Sequence, residues 1–316
     1  MAYNKEPLDF NEQIELFIQR GMKVNDKDKA IESLKNINYY KIKEFAMPYY
    51  IKVEEDGQII QKYEKISFEQ ILNRFYQDKN LRIYFLHAVE KVEVSFKTRF
   101  AYVLGKKGKA FGYLNFKDWC NRDKYCRYYL AEKQDETKNY IKKILKRDTN
   151  FIINNYFFEN PEQEFPPIWM LIEILTFGDV LSLYELMSKK NRKEIASFYN
   201  CTDDELESWL YSLKLVRNLA AHNSCIIDMS FRTKPIIRKE WHKYLYTYQL
   251  KDGSIVTTDK IALIFVILKY LVARVNSKYT FGDSKNALSK LIRNSDIAAH
   301  KYGFAGKNID WLFEKW

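Results

Sequence analysis

The octet Leu-Val-Arg-Asn-Leu-Ala-Ala-His at residues 215–222 brings three chemically useful side chains close together in the sequence. Arg217 is followed directly by Asn218, and His222 lies five positions after Arg217. A guanidinium can neutralise a phosphate, an amide can orient one, and an imidazole can move protons near neutral pH. The combination is typical of RNA cleavage without a metal ion, although an Arg shortly before a His is by itself a common pattern.

Two other Arg/His pairs occur in the chain, and the sequence favours neither as a catalytic centre. Arg82 and His87 lie in the middle of a long helical segment, and no Asn follows that Arg. Arg293 is followed by an Asn and then by His300, but Ser295 begins a sequence typical of a helix end. We interpret both histidines as structural, because short motifs of this kind arise often by chance.

The spacing within the octet sets a geometric condition. Thr202 and Glu205 form a capping box, which predicts a helix that runs from there into the octet. On that helix Asn218 and His222 share a face, whereas Arg217 lies about 140° from His222. Either the helix ends or distorts near His222, or a second copy of the motif completes the site across a two-fold interface.

The rest of the chain is predicted to be mainly helical, because only 10 Gly and 6 Pro interrupt 316 residues. Ser67 and Gln70 form a second capping box, and residues 68 to about 104 contain neither Gly nor Pro. We expect the longest helix there, ended by a basic, flexible loop at residues 105–109.

Two β-hairpins are expected at the periphery of this helical body. Residues 49–63 alternate in polarity around Asp56-Gly57, and residues 244–257 do so around Asp252-Gly253. Short amphipathic helices precede the first hairpin. The sequence therefore predicts an N-terminal helical subdomain with a hairpin over residues 1–66 and a helical domain over residues 67–316.

Glu173 is a further candidate because it lies within the apolar sequence Trp169-Met-Leu-Ile-Glu-Ile-Leu. A buried carboxylate needs a partner, so Glu173 could hold Arg217 or another Arg in place. The alternative is a position at the edge of the apolar face. Glu90 and Glu93 are interpreted as solvated residues or members of helix-surface pairs.

The amino-acid composition limits the class of molecule that the protein is expected to bind. A net charge of +11 and a pI of about 9.1 favour a polyanion such as RNA, because cations that neutralise phosphates release counterions. No apolar run is long enough to span a membrane, and the first residues show no apolar core typical of a signal peptide. The four cysteines show no zinc-ligand spacing. We expect a soluble cytoplasmic protein without a metal, a cofactor or a membrane partner.

Several segments in a fixed order resemble the Abi family of bacterial abortive-infection proteins, in particular its AbiD/AbiF-like group. They are Leu16–Gly21, Ile37–Tyr40, Phe75–Arg82, Val89–Val94, Pro166–Leu183 and the octet. The Arg-Asn-x-x-x-x-His element of that family falls on Arg217, Asn218 and His222. Near the C-terminus the chain departs from the family, with Tyr302-Gly303-Phe304-Ala305 where Met-Gly-Phe-Pro is frequent, which makes His300 a residue of the family's tail.

The resemblance implies a HEPN-like helical bundle and a HEPN-superfamily endoribonuclease that cuts RNA by attack of a 2′-hydroxyl, without a metal. Arg217, Asn218 and His222 are then the catalytic residues, as in a toxin-like protein of anti-phage abortive infection. The resemblance also implies a homodimer and, as in some relatives, a small non-coding regulatory RNA as partner.

Two other functions are compatible with the sequence. The chain could be a non-catalytic RNA-binding module in which Arg217 and His222 only hold an RNA. It could also be a DNA-binding regulator that uses its N-terminal helices, although nothing in the sequence marks a recognition helix.

Overall fold

The computed structural model describes residues 6–55, 58–147, 149–232 and 234–314. Most of these residues are helical, and β-structure is confined to two short antiparallel sheets, which confirms the predicted mainly α fold. The helices are α1 (Phe10–Gln19), α2 (Lys27–Asn36), α3 (Tyr39–Ala46), α4 (Phe68–Gly108), α5 (Phe116–Trp119), α6 (Arg127–Leu145), α7 (Phe151–Glu159), α8 (Ile168–Ile174), α9 (Phe177–Leu186), α10 (Lys189–Ser197), α11 (Asp203–Ala221), α12 (Ile261–Val275), α13 (Gly282–Ile292) and α14 (Asp296–Lys301).

Both predicted hairpins are present. Strands β1 (Tyr50–Glu55) and β2 (Gln58–Tyr63) pair antiparallel, with Tyr50 opposite Tyr63, and the predicted turn at positions 56 and 57 lies outside the described residues. Strands β3 (Thr247–Gln249) and β4 (Ile255–Thr257) form the second, shorter hairpin. Gly253 in its turn has a φ of +84°, a left-handed conformation that glycine adopts without strain.

Helix α4 begins at the capping box of Ser67 and Gln70, as predicted, and extends over 41 residues. At 1.5 Å per residue it is about 60 Å long. The prediction that a loop begins at Gly105 is wrong, because the helix continues to Gly108. Gly105 lies against Ile168 and Trp169 of α8, so packing stabilises a last turn that residue propensity alone disfavours.

The core is built around α4, which packs against α3 and against α8 to α13. The buried hydrophobic residues of α4 belong to one hydrophobic cluster that extends from Ile14 in α1 to Leu312 near the C-terminus. The boundary between an N-terminal subdomain and a helical domain at residues 66 and 67 stays a prediction. Helix α12 is buried on nearly all sides. Across the described ranges, no helix combines the length and apolarity needed to cross a bilayer.

Candidate active site

The octet occupies the last turns of α11 and the residue after it. The capping box of Thr202 and Glu205 starts this helix, as predicted, and Ala221 is its last residue. His222 is the C-cap, with φ of −91° and ψ of 15°, and Asn223 follows with a φ of +58°. Of the two alternatives posed by the spacing, the helix end is therefore present, and the backbone leaves the α-helix at His222.

The guanidinium of Arg217 connects two neighbouring side chains. Its Nε lies 3.5 Å from Oε2 of Glu93 on α4, and its NH1 donates to Oδ1 of Asn218 over 3.4 Å. The Arg217 side chain is 38% exposed, whereas Glu93 is 16% exposed. Asn218 and His222 face solvent. In this cluster the Arg217 guanidinium is in contact with the Glu93 carboxylate. The Asn218 amide and the His222 imidazole lie at the surface.

Glu173 does not perform the predicted role. It is exposed on the short helix α8, whose residues Ile168, Leu171 and Ile172 are the buried ones. These three take the core-facing side, so Glu173 lies outside the core, and the structure supports the second of the two positions that the sequence allowed. The carboxylate that contacts Arg217 is Glu93, which the sequence had suggested to be solvated or paired along its own helix surface.

The other two Arg/His pairs do not form similar clusters. Arg82 is buried, whereas His87 is exposed, with its Nδ1 3.3 Å from the hydroxyl of Tyr279. His300 stacks on Tyr246 with ring centroids 4.1 Å apart, and its Nε2 lies 3.1 Å from the carbonyl oxygen of Ala305. Both histidines have structural contacts.

Residues 223–228, which follow His222 directly, are held by side chains from α3 and α4, and we call them the anchored segment. Its first residue is bound twice. Oδ1 of Asn223 accepts from NH1 of Arg82 at 2.8 Å, and the carbonyl oxygen of Asn223 accepts from Nζ of Lys41 at 3.0 Å. An asparagine tolerates the left-handed backbone better than most residues do. These bonds define where the chain goes after α11.

Asp78 of α4 anchors the middle of the segment. Its side chain is fully buried, and Oδ1 accepts from the backbone N–H groups of Ile226 and Ile227 at 2.8 and 3.1 Å. Its Oδ2 lies 2.8 Å from Nε of Arg82, as an ion pair on one face of α4. Burial raises the pKa of Asp78 to about 6, against the lowering effect of the two N–H groups and of Arg82.

Two further contacts hold the remainder of the segment. Oε1 of Glu44 accepts from the backbone N–H of Cys225 at 3.1 Å. Both NH2 contacts of Arg74 to the carboxylate of Asp228 measure 2.6 Å, and NH1 of Arg74 donates to the hydroxyl of Tyr302 at 2.7 Å. The anchored segment therefore has charged partners at both ends and in the middle.

The residues of α4 that hold the segment were missed in the sequence, although a signal was present. Arg74, Asp78 and Arg82 are spaced four residues apart and share one helical face with buried residues such as Leu81 and Phe85. Three charged residues at core positions indicate a buried ionic network, because an isolated buried charge is costly.

In the described part of the chain, no group of three or more His, Cys, Asp or Glu side chains is placed to hold a metal ion. The four cysteines are free thiols. What the cluster at the end of α11 offers is an organic acid–base group, an amide and a cation, a combination suited to binding and transforming a phosphate ester.

Comparison with known proteins adds one finding to this geometry. The model of a family described as Abi-like protein matches residues 32–228. The matched range contains the octet, Glu93 and the residues of α3 and α4 that hold the anchored segment. Neither a search of curated proteins nor a search of solved structures found a match.

Proposed function

The chain belongs to the Abi-like protein family, and from this premise we propose that it is an abortive-infection endoribonuclease whose centre is Arg217, Asn218 and His222. One observation carries the proposal most directly. The Arg217 guanidinium is held between Glu93 and Asn218, one turn before an exposed His222 whose following segment is anchored by buried charges. A catalytic group has to be held in place before the reaction if it is to stabilise a transition state.

The proposed reaction is intramolecular in the RNA. The 2′-oxygen of a ribose attacks the adjacent phosphorus, a new P–O bond forms, and the bond to the 5′-oxygen of the next nucleotide breaks. The 2′-hydroxyl loses a proton and the leaving 5′-oxygen gains one, so the products are a 2′,3′-cyclic phosphate and a 5′-hydroxyl. An imidazole suits these proton transfers, since it titrates near neutral pH.

The three residues have distinct proposed roles. His222 moves the proton, and Arg217 stabilises the additional negative charge on the five-coordinate phosphorane-like transition state. Asn218 orients either the imidazole or a phosphate oxygen. Glu93 is a positioning residue, because it contacts the guanidinium and not the exposed side chains of the centre.

A homodimer is part of the proposal. One imidazole cannot at the same moment remove the proton from the 2′-hydroxyl and supply one to the 5′-oxygen, so two copies of His222 would complete the acid–base pair. Asn218 and His222 lie on the outward face of α11, together with Leu215, which is 46% exposed. A two-fold contact of α11 with its copy would place both imidazoles in one cleft.

The test is RNA cleavage by the purified protein in the presence of EDTA, compared with His222→Ala and with His87→Ala as the matched control. We expect 2′,3′-cyclic phosphate ends from the wild-type protein and from His87→Ala, but no cleavage by His222→Ala. Cleavage by His222→Ala at the wild-type rate would refute the assignment. Cleavage abolished by EDTA would refute the metal-independent mechanism.

A second candidate function is a non-catalytic RNA-binding module, with a regulatory non-coding RNA as its ligand. It is favoured by the net charge of +11, which supports binding of RNA whether or not the RNA is cut. Salt-sensitive RNA binding without cleavage by the wild-type protein, in the presence of infected-cell extract as well as alone, would favour this function.

A further inference from the structure

Helix α7 exposes the two most accessible large hydrophobic side chains of the described chain. Phe158 is 86% exposed and Phe151 is 80% exposed, while Ile152 is 60% exposed. Phe151 and Phe158 are seven residues apart, so they project from the same side of the helix, with Asn155 between them. Exposed apolar groups gathered in this way mark an interaction site more often than isolated ones do.

The folding of α7 does not account for these rings. Ile153 is the buried residue of α7, at 2% exposed, and Tyr156 and Phe157 are half-buried on the same side. Two phenyl rings in water contribute nothing to the hydrophobic free energy of folding. Phe151 and Phe158 are therefore available to a ligand.

Unpaired cations lie directly before the exposed rings. Lys143, Lys146 and Arg147 are exposed at the end of α6, and none of them has an ion-pair partner within the described residues. Their neighbour Lys142 differs, since its Nζ lies 2.5 Å from Oε1 of Glu164. Among the described residues, one cation of this group is therefore paired, and three are left for an anionic partner. We define Lys143, Lys146, Arg147, Phe151 and Phe158 as the α6–α7 surface.

We propose that the α6–α7 surface binds single-stranded RNA, with the phenyl rings stacking on unpaired bases and the three cations contacting phosphates. Every base has a flat face that an aromatic ring can cover, and each phosphate carries one negative charge. In a duplex the bases are already stacked, so exposed rings of this kind favour a single strand. The surface goes beyond the proposed cleavage, because binding there needs no residue of the octet.

The chemistry of α7 argues against two other occupants. Asn154, Asn155 and Glu159 are exposed among the rings, and moving amides and a carboxylate into a lipid interior is costly. Against RNA the same amides can bond to base edges. A second copy of the chain seated on this face with two-fold symmetry would bring the two sets of cations together.

The test measures RNA binding by full-length protein carrying His222→Ala, so that cleavage does not consume the probe. The probe is a fluorescent single strand of about 12 uridines, a length within the usual range of single-strand sites. Its affinity is measured by anisotropy over a salt series. A hairpin duplex of equal charge and vesicles of phosphatidylglycerol and phosphatidylcholine are tested in parallel.

We expect Phe151→Ala with Phe158→Ala to weaken binding of the single strand tenfold or more, since loss of base stacking on an aromatic ring typically has this effect. Lys143→Gln, Lys146→Gln and Arg147→Gln together should lower the salt slope by about 2, because each phosphate contact to a single strand contributes about 0.7. A control variant with Lys290→Gln, Lys301→Gln and Lys307→Gln removes the same charge elsewhere and should retain the slope. Ile297, which is 75% exposed, supplies the apolar control as Ile297→Ala.

Three results would overturn the proposal. The first is that the aromatic variant binds the single strand as tightly as its parent does. The second is that the aromatic variant loses as much affinity for the duplex as for the single strand. The third is that the aromatic variant loses affinity for the vesicles alone. Circular dichroism and thermal melting establish that each variant is folded. Because binding at this surface needs no residue of the octet and is measured apart from cleavage, loss of this surface and loss of the cleavage function are measured separately, and either can fail while the other holds.

Discussion

In the anchored segment, charged side chains are buried and paired, whereas at the α6–α7 surface cations and phenyl rings face solvent. Arg74, Asp78 and Arg82 are at most 6% exposed and bind the backbone or side chains of residues 223–228. Phe151 and Phe158 are at least 80% exposed. Cationic side chains therefore determine the position of the chain in one region and remain available for a partner in the other.

The difference follows from the cost of burying charge. A carboxylate or guanidinium that leaves water must find nearly all of its partners within the protein, so a buried network tolerates one arrangement of the backbone. Such a network can hold a catalytic group in one position. An exposed cation keeps its hydration until a ligand replaces it, and it imposes little on the fold.

The largest effect on stability is expected from removing the carboxylate of Asp78, which binds the middle of the anchored segment. Asp78→Ala deletes the acceptor for two backbone N–H groups and leaves Arg82 buried without its partner. We expect the free energy of unfolding to fall by about 3–5 kcal/mol, measured by urea denaturation. Asp78→Asn is the matched control, since it retains a carbonyl oxygen, and it should lose less. A loss below about 1 kcal/mol for Asp78→Ala would mean that the network does not hold the segment.

A gentler change tests whether anchoring serves catalysis. Arg82→Lys keeps the charge beside Asp78 but cannot reproduce the planar guanidinium that bonds Asn223. If the proposed cleavage holds, kcat should fall about 10- to 100-fold with little change in KM, because small displacements of a catalytic group have effects of this size. His87→Ala on the same helix should leave kcat unchanged. An equal rise in KM and fall in kcat would instead indicate general loss of structure.

The raised pKa of Asp78 makes the stability of the folded protein depend on pH. Its folded-state value of about 6 lies above the ordinary value of 3.8, so between these pH values the folded protein binds a proton that the unfolded chain does not. The stability of the wild-type protein relative to Asp78→Asn should therefore rise as pH falls through 6, by about 1 kcal/mol from pH 7 to pH 5. The titratable groups around Asp78 and the anchored segment are the same in both proteins. They are Arg74 and Arg82 of α4, Lys41 and Glu44 of α3, Asp228, and Cys225, whose thiol is neutral because burial raises its pKa.

The smallest effect on stability is expected at the α6–α7 surface. Phe151→Ala together with Phe158→Ala should change the free energy of unfolding by no more than about 0.5 kcal/mol, since neither ring is buried in the folded protein. Urea denaturation at pH 7, beside Asp78→Ala, measures both regions on one scale. A loss above about 2 kcal/mol would show that the rings pack in the folded state and would remove the contrast between the regions.

Local features of the fold could be predicted from the sequence. The capping boxes at Ser67 and Thr202 mark the starts of α4 and α11, and the turn residues mark both hairpins. The end of α4 was predicted several residues too early, because its packing against α8 does not show in the local sequence. Boundaries that depend on distant contacts are outside the reach of a local pattern.

The candidate site was predictable in part. The octet identifies the three residues and places His222 near a helix end, but the sequence offered Glu173 as the carboxylate beside Arg217, and the structure has Glu93 there. Both are glutamates within apolar helical segments. Which of them reaches Arg217 depends on how α4 and α8 are rotated about their axes, and that rotation is decided by the packing of the whole core.

The sequence alone was enough to predict where α4 and α11 begin, that the chain is mainly α-helical, and that Arg217, Asn218 and His222 lie close together at the end of α11. These features depend on residues within about four positions of one another. The position of the backbone that follows His222 depends on tertiary contacts. Arg82 and Lys41 reach Asn223 across separations of 141 and 182 residues, and such contacts exist only after α3, α4 and α11 have packed into one core.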